Sequence, residues 1–136
     1  MITQTKRIGQ SASIRVAPLV SIVDDDESVR ESLPDLVREL GFRANAFASA
    51  HEFLSSADLA TTQCLLLDIA MPGRSGLELY VELKKRGRKI PTIFITGRGN
   101  GTLRNRLIAD GAVECLFKPF SDQQLHAALH SALGSP

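Results

Sequence analysis

The chain has 136 residues, 43% of them hydrophobic and 23% charged, which suits one domain with a single sizeable core. With 16 basic and 15 acidic residues, its net charge of +1 gives no reason to expect nucleic acid or an anionic membrane as the partner. No apolar run approaches the roughly 20 residues of a membrane span, the N-terminus lacks the apolar segment of a signal peptide, and the expected location is the cytoplasm.

Residues 1–17 carry Lys6, Arg7 and Arg15 but no acid and no apolar period, so they read as a mobile arm ahead of a domain over residues 18–134. Three charges are too few for a strong nucleic-acid footprint. Leu19 to Val23 form a first strand that ends in Asp24-Asp25-Asp26-Glu27. From Ser28 onward Val29, Leu33, Leu36, Val37 and Leu40 fall on one helical face, closed by Gly41. Pro34 lies off that stripe and is expected to kink the helix on its wet side. Phe42 to Phe47 predict a second strand. Ser49 to Ser56 predict a short helix with Phe53 and Leu54 inward and His51 at the surface.

Cys64-Leu65-Leu66-Leu67 is an uncharged run of the kind found in strands buried on both faces, and it stops at one carboxylate, Asp68. Met71-Pro72-Gly73 then makes a turn, and Ser75 caps a helix that runs to Arg86, buries Leu79, Tyr80 and Leu83 and stops at Gly87. Around that stop Lys84, Lys85, Arg86, Arg88 and Lys89 form a basic run, read as a solvated last turn suited to the helix dipole rather than as a nucleic-acid patch. Ile90 to Ile95 predict a fourth strand ending in Thr96-Gly97. A weak helix follows from Thr102, with Leu103, Leu107 and Ile108 apolar and Gly111 closing it. Val113 to Phe117 predict a fifth strand ending in Lys118-Pro119. The last helix begins near Ser121, with Leu125, Ala128, Leu129, Ala132 and Leu133 on one face. His126 and His130 flank that face without an acid to complete a metal site and are expected in solvent. Cys64 and Cys115 each begin an apolar run and read as small buried hydrophobes rather than a disulfide or zinc pair.

Strict strand-helix alternation implies an α/β fold: a parallel sheet covered on both faces and joined by right-handed crossovers. Every strand then delivers its final residue to one rim, which gathers Asp24, Asp25, Asp68, Thr96 and Lys118. Clustered carboxylates raise one another's pKa unless a cation sits among them, and an all-oxygen set suits Mg²⁺. A metal among acids, with a hydroxyl and an ammonium opposite, is a phosphoryl-binding arrangement. In it an Asp would be the nucleophile, Thr96 a hydrogen-bond donor and Lys118 a charge neutraliser.

The blocks Val23-Asp24-Asp25-Asp26, Leu67-Asp68-Ile69-Ala70-Met71-Pro72-Gly73, Ile95-Thr96-Gly97 and Lys118-Pro119-Phe120 resemble the signature blocks of CheY-like response-regulator receiver domains. Gly41-Phe42, Ser49-Ala50, Ser75-Gly76-Leu77-Glu78-Leu79 and Arg86-Gly87 are similar to the FixJ-type branch. The resemblance covers about residues 18 to 134. It implies a doubly wound, flavodoxin-like five-stranded sheet in the order 2-1-3-4-5. It also implies Mg²⁺-dependent (or Mn²⁺-dependent) phosphorylation of Asp68 by the phosphohistidine of a sensor histidine kinase or phosphotransfer protein. Asp25 would then bind the metal directly, Asp24 largely through water, Asp68 through its carboxylate and Ala70 through its backbone carbonyl, while Thr96 and Lys118 would hold the phosphoryl oxygens. Such a chain is a phosphoacceptor that phosphorylates and dephosphorylates itself rather than a turnover enzyme. The helix-turn-helix domain that usually accompanies FixJ-type receivers is not expected within these residues, and a single-domain regulator is the reading.

Three departures from the family pattern fall on the face such domains use for output. Gly97-Arg98-Gly99-Asn100-Gly101 replaces a His/Asp segment, the fourth helix lacks its leading Pro and holds Arg104, Asn105 and Arg106, and Cys115 replaces an aromatic. They predict a weak output response, suited to a phosphate carrier, sink or adaptor. Two rival readings are a degenerate receiver acting as a plain binding module and a haloacid-dehalogenase-type phosphatase. For the phosphatase, Asp24-x-Asp26-x-Ser28 imitates the nucleophile motif, but only Asp122 follows Lys118 as an acid.

Overall fold

The structure, a computed structural model, describes residues 16–134. The strands are β1 (Leu19–Val23), β2 (Arg43–Phe47), β3 (Cys64–Asp68), β4 (Thr92–Thr96) and β5 (Glu114–Phe117). They alternate with helices α1 (Glu27–Glu39), α2 (Ala50–Leu54), α3 (Gly76–Lys85), α4 (Gly101–Ala109) and α5 (Asp122–Leu133). All pairings are parallel and the order is β2-β1-β3-β4-β5, the doubly wound arrangement expected. Residues 1–15 of the expected arm lie outside the described residues. No helix among the described residues is long and apolar enough to cross a membrane.

Every residue of β1, β3 and β4 is buried, because helices cover both faces of the sheet. Alternate side chains feed two cores. Val20, Ile22, Cys64, Leu66 and Ile95 pack with Leu33, Val37, Leu125 and Leu129 of α1 and α5. Leu65, Leu67, Phe94 and Cys115 pack with Phe53, Leu79, Leu83 and Leu107 of α2, α3 and α4. Full burial of each such leucine is worth about 1.5–3 kcal/mol. The same alternation puts Cys64 and Cys115 on opposite faces of the sheet, and both are free and buried.

Local chemistry sets the helix starts. Asp26 accepts from the Ser28 N–H, Ser49 from Glu52 and Asn100 from Leu103, while Ser75 with Glu78 and Ser121 with Gln124 form reciprocal capping boxes. Three details differ from expectation. Pro34 lies inside α1 and is buried, not on the wet side, because it borders the apolar stripe as an i, i+3 neighbour of Val37. A 3₁₀ turn at Ala57–Ala60 was not legible in the periodicity. It is held from a distance: Thr62 Oγ1 donates to the Asp58 carbonyl at 2.6 Å and meets Ser21 Oγ at 2.6 Å in the interior. Tyr80 is only half-buried, edge-on to Phe94 with ring centres 5.2 Å apart. His51, His126 and His130 are exposed.

Candidate functional site

From β1 the chain crosses to β2 on one side, and from β3 it crosses to β4 on the other, so the crevice between the carboxyl ends of β1 and β3 is the switch point of the sheet. The acidic run after β1 divides its work there. Asp24, only 1% exposed, accepts the Asp26 N–H on Oδ1 at 2.9 Å and the Lys118 ammonium on Oδ2 at 3.1 Å. Asp25 is exposed, and Asp26 is spent capping α1. Asp68, at the end of β3, is 6% exposed. Carboxylate oxygens of Asp24, Asp25 and Asp68 all lie within 4.8 Å of one another.

That proximity has an electrostatic consequence. Burial first, then the Asp24 carboxylate, pushes the Asp68 carboxyl up from its ordinary 3.8 to about 7, and a hydrogen bond with Asp25 adds to the push. Lys118 and the Ala70 N–H pull the other way and do not cancel it. The donor set is all oxygen and under mutual repulsion, which fits a hard divalent cation such as Mg²⁺. Ala70 is exposed, two residues beyond Asp68.

Thr96 ends β4, which pairs directly with β3, and is 3% exposed. Its hydroxyl donates to the Arg98 carbonyl at 2.6 Å and accepts the Arg98 N–H at 3.0 Å, so it is turned into the β4–α4 loop. The three carboxylates therefore converge, with Lys118 bonded to Asp24, while Thr96 stands at the same rim with its hydroxyl engaged elsewhere.

Two residues at the rim escaped the sequence reading. A Cβ at Gly76 would overlap the backbone carbonyl of Asp68, and the Gly76 N–H donates to the Ile69 carbonyl at 2.9 Å, so α3 starts pressed against the Asp68 loop. The only signal in the sequence is the Ser75-Gly76 pair itself. Arg30, one turn into α1, donates from Nη1 to the Asp24 carbonyl at 3.1 Å and holds the end of β1. An arginine in a helix gives no signal at all.

The family model described as the response regulator receiver domain matches residues 20–130. The chain belongs to the response-regulator receiver domain family. The receiver is 40% identical over 117 residues to the response regulator protein TodT of Pseudomonas putida, covering 86% of this chain and 52% of that protein. It thus spans about half the length of the curated relatives it matches. Among solved structures it resembles the response regulator StyR at 42% identity and a TM-score of 0.78, covering 87% of this chain and 60% of that one. It also resembles FixJ-N at 35% identity and a TM-score of 0.74, covering 87% of this chain and 94% of that one, consistent with the FixJ-type wording of its motifs.

The face made by α4, β5 and α5 carries the receiver's departures from pattern. Cys115 is buried against Phe94 and Leu107. Arg104 on α4 forms a bidentate pair with Glu114 on β5 at 2.6 and 3.0 Å, which holds the Glu114 carboxyl below its usual range. The Phe117 ring lies over Gly99, where a Cβ would clash with it.

Proposed function

We propose that this receiver accepts a phosphoryl group on Asp68 from the phosphohistidine of a sensor histidine kinase or phosphotransfer protein, in a reaction that requires Mg²⁺ or Mn²⁺. The observation that carries this reading is the convergence of three carboxylates within 4.8 Å, one of them ending the central strand, beside the Lys118 ammonium. Asp25 would hold the metal directly, Asp24 largely through water, Asp68 through its carboxylate and Ala70 through its backbone carbonyl. When bound, the metal supplies positive charge to the transferring phosphoryl oxygens and offsets the repulsion that raises Asp68.

In the transfer, a carboxylate oxygen of Asp68 forms the new bond to phosphorus as the phosphorus–nitrogen bond of the donor breaks and its imidazole leaves. Lys118 exchanges its hydrogen bond from Asp24 Oδ2 to a phosphoryl oxygen. The Thr96 hydroxyl turns from the Arg98 carbonyl to another oxygen, a rotation about one side-chain bond. The receiver is thus a phosphoacceptor that supplies its own catalytic groups.

The output belongs to the same reading. Cys115 has too little volume to fill the space a departing Thr96 methyl and loop would leave, and the Arg104–Glu114 pair ties α4 to β5. Gly97 and Gly99 in the β4–α4 loop, with Gly101 at the first position of α4, make that entry to the helix costly to order. Phosphorylation then shifts this face weakly, and the receiver serves as a phosphate carrier, sink or adaptor. The test of the central claim is incubation with acetyl phosphate and Mg²⁺ followed by intact-mass measurement. A single phosphoryl adduct, absent in Asp68→Asn and in excess chelator, is expected. Phosphate release that persists in Asp68→Asn would point to a phosphatase whose nucleophile lies in the Asp24-x-Asp26 run, and no adduct to a plain binding module.

A further inference from the structure

The basic run at the end of α3 is not used by the phosphoacceptor rim, and the structure gives it a setting the sequence did not reveal. Beside it, at the opposite end of the sheet from Asp68, opens a pocket of about 430 Å³. Its floor is apolar, built from Tyr80, Leu83, Ile90, Pro91 and Val113. Its rim carries Lys84, Arg88 and Lys89, and no acidic side chain lines it. Lys84 is a wall of the pocket: its ammonium sits 4.3 Å above the Tyr80 ring and bonds the Asp110 carbonyl at 2.7 Å. Arg88 spends one nitrogen on the Leu59 carbonyl. Among the described residues, Lys84, Lys85, Arg88 and Lys89 form no ion pair with a carboxylate, and of the whole run only Arg86 does, with Glu82. Glu82 offsets part of this charge through Arg86 and Lys85, and the rim of the pocket itself, Lys84, Arg88 and Lys89, keeps a net positive charge.

We propose that this end of the receiver is a docking surface for an acidic segment of a protein partner, which seats one apolar side chain in the pocket and sets its carboxylates against the cationic rim. Charge decides the class of occupant. Several cations spread along six residues match a row of carboxylates better than the single charge of a small anion. The apolar floor calls for an anchor side chain of leucine or phenylalanine size. Duplex nucleic acid fits less well: it has no apolar knob for the floor, and the one aromatic there, Tyr80, has a face covered by Lys84 and an edge contact to Phe94. Because the pocket lies at the amino ends of the strands, a partner held there leaves Asp68 open to its phosphodonor. This inference goes beyond the proposed phosphotransfer and does not depend on it.

The test is amide-shift NMR of the ¹⁵N-labelled receiver titrated with the peptide Ac-Asp-Glu-Phe-Glu-Asp-NH₂, its Phe→Ala version and a 20-base-pair duplex as probes. Shifts confined to residues 80–92 and 111–113 are expected with the first peptide. Binding should weaken about tenfold on loss of the phenyl anchor, the order expected for burying one such side chain. It should also weaken a few-fold in Lys89→Glu at low salt, an effect that fades at high salt. Lys89 is exposed and outside the phosphoacceptor rim, so that variant should take phosphate from acetyl phosphate as the wild type does. Equal binding of the two peptides, shifts centred elsewhere, no shifts, or tighter binding of the duplex would overturn the proposal.

Discussion

Replacing Asp68 by Asn should stabilise the metal-free receiver at neutral pH. The amide keeps the size of the carboxyl and removes a charge that the site disfavours, since burial and Asp24 raise the Asp68 carboxyl from 3.8 to about 7. The sign follows from linkage. Between about pH 4 and 7 the folded chain holds a proton on Asp68 that the unfolded chain has released, so the wild type loses stability as pH rises through that window. Above it the loss is complete. At about 1.4 kcal/mol per pKa unit the upper bound is on the order of 4 kcal/mol. Water at the open rim screens the charges and brings this to about 2 kcal/mol. For a domain of this size that corresponds to roughly 6 °C in the unfolding temperature. The assay is thermal unfolding in EDTA at pH 5 and pH 8, with and without added Mg²⁺. The variant should gain at pH 8, much less at pH 5, and Mg²⁺ should narrow the gap by stabilising the wild type preferentially. An equal gain at both pH values, or a variant less stable than the wild type at pH 8, would refute the electrostatic reasoning.

Lys118→Ala and Thr96→Ala should retain Mg²⁺ binding while slowing acetyl-phosphate labelling, by about tenfold or more; Mg²⁺ titration beside Asp25→Ala checks this, since a comparable loss of metal affinity would misplace both residues. Gly76→Ala should destabilise by about 1–3 kcal/mol in urea unfolding, because the added methyl must displace the Asp68 carbonyl, and unchanged stability would show that α3 moves aside freely. Beryllium fluoride with Mg²⁺ should leave the sedimentation coefficient at its unliganded value and give only small gains in amide protection across residues 97 to 125. Robust dimerisation, or strong new protection confined to α4, β5 and α5, would contradict the weak-output reading.

What could be read along the chain was whatever depends on neighbours in sequence. Asp68 was legible because an uncharged strand, one acid and a Pro-Gly turn follow one another directly. The starts of α3 and α5 were legible because a capping box spans only Ser75 to Glu78 and Ser121 to Gln124. Strand periodicity even separates the two cores, since β3 sends Cys64 and Leu66 to one face and Leu65 and Leu67 to the other. Boundaries were less sharp: β4 begins at Thr92 rather than Ile90, since Thr92 is the first of its residues in register with β3, opposite Leu65.

Tertiary structure alone decided the contacts between residues far apart in the chain. Asp24 and Lys118 are 94 positions apart, and their 3.1 Å hydrogen bond exists because the crossovers bring the ends of β1 and β5 to one rim. The orientation of Thr96 toward Arg98 and the grip of Arg30 on the Asp24 carbonyl leave no trace in composition or period. Gly76 is the clearest instance. Its lack of a side chain matters because of where the Asp68 carbonyl lies in space, and no local propensity encodes that approach. Hydrophobic period and caps act over three or four residues, so they specify which elements form. The angles and distances between elements come from packing the covered sheet, and those set what the rim can hold.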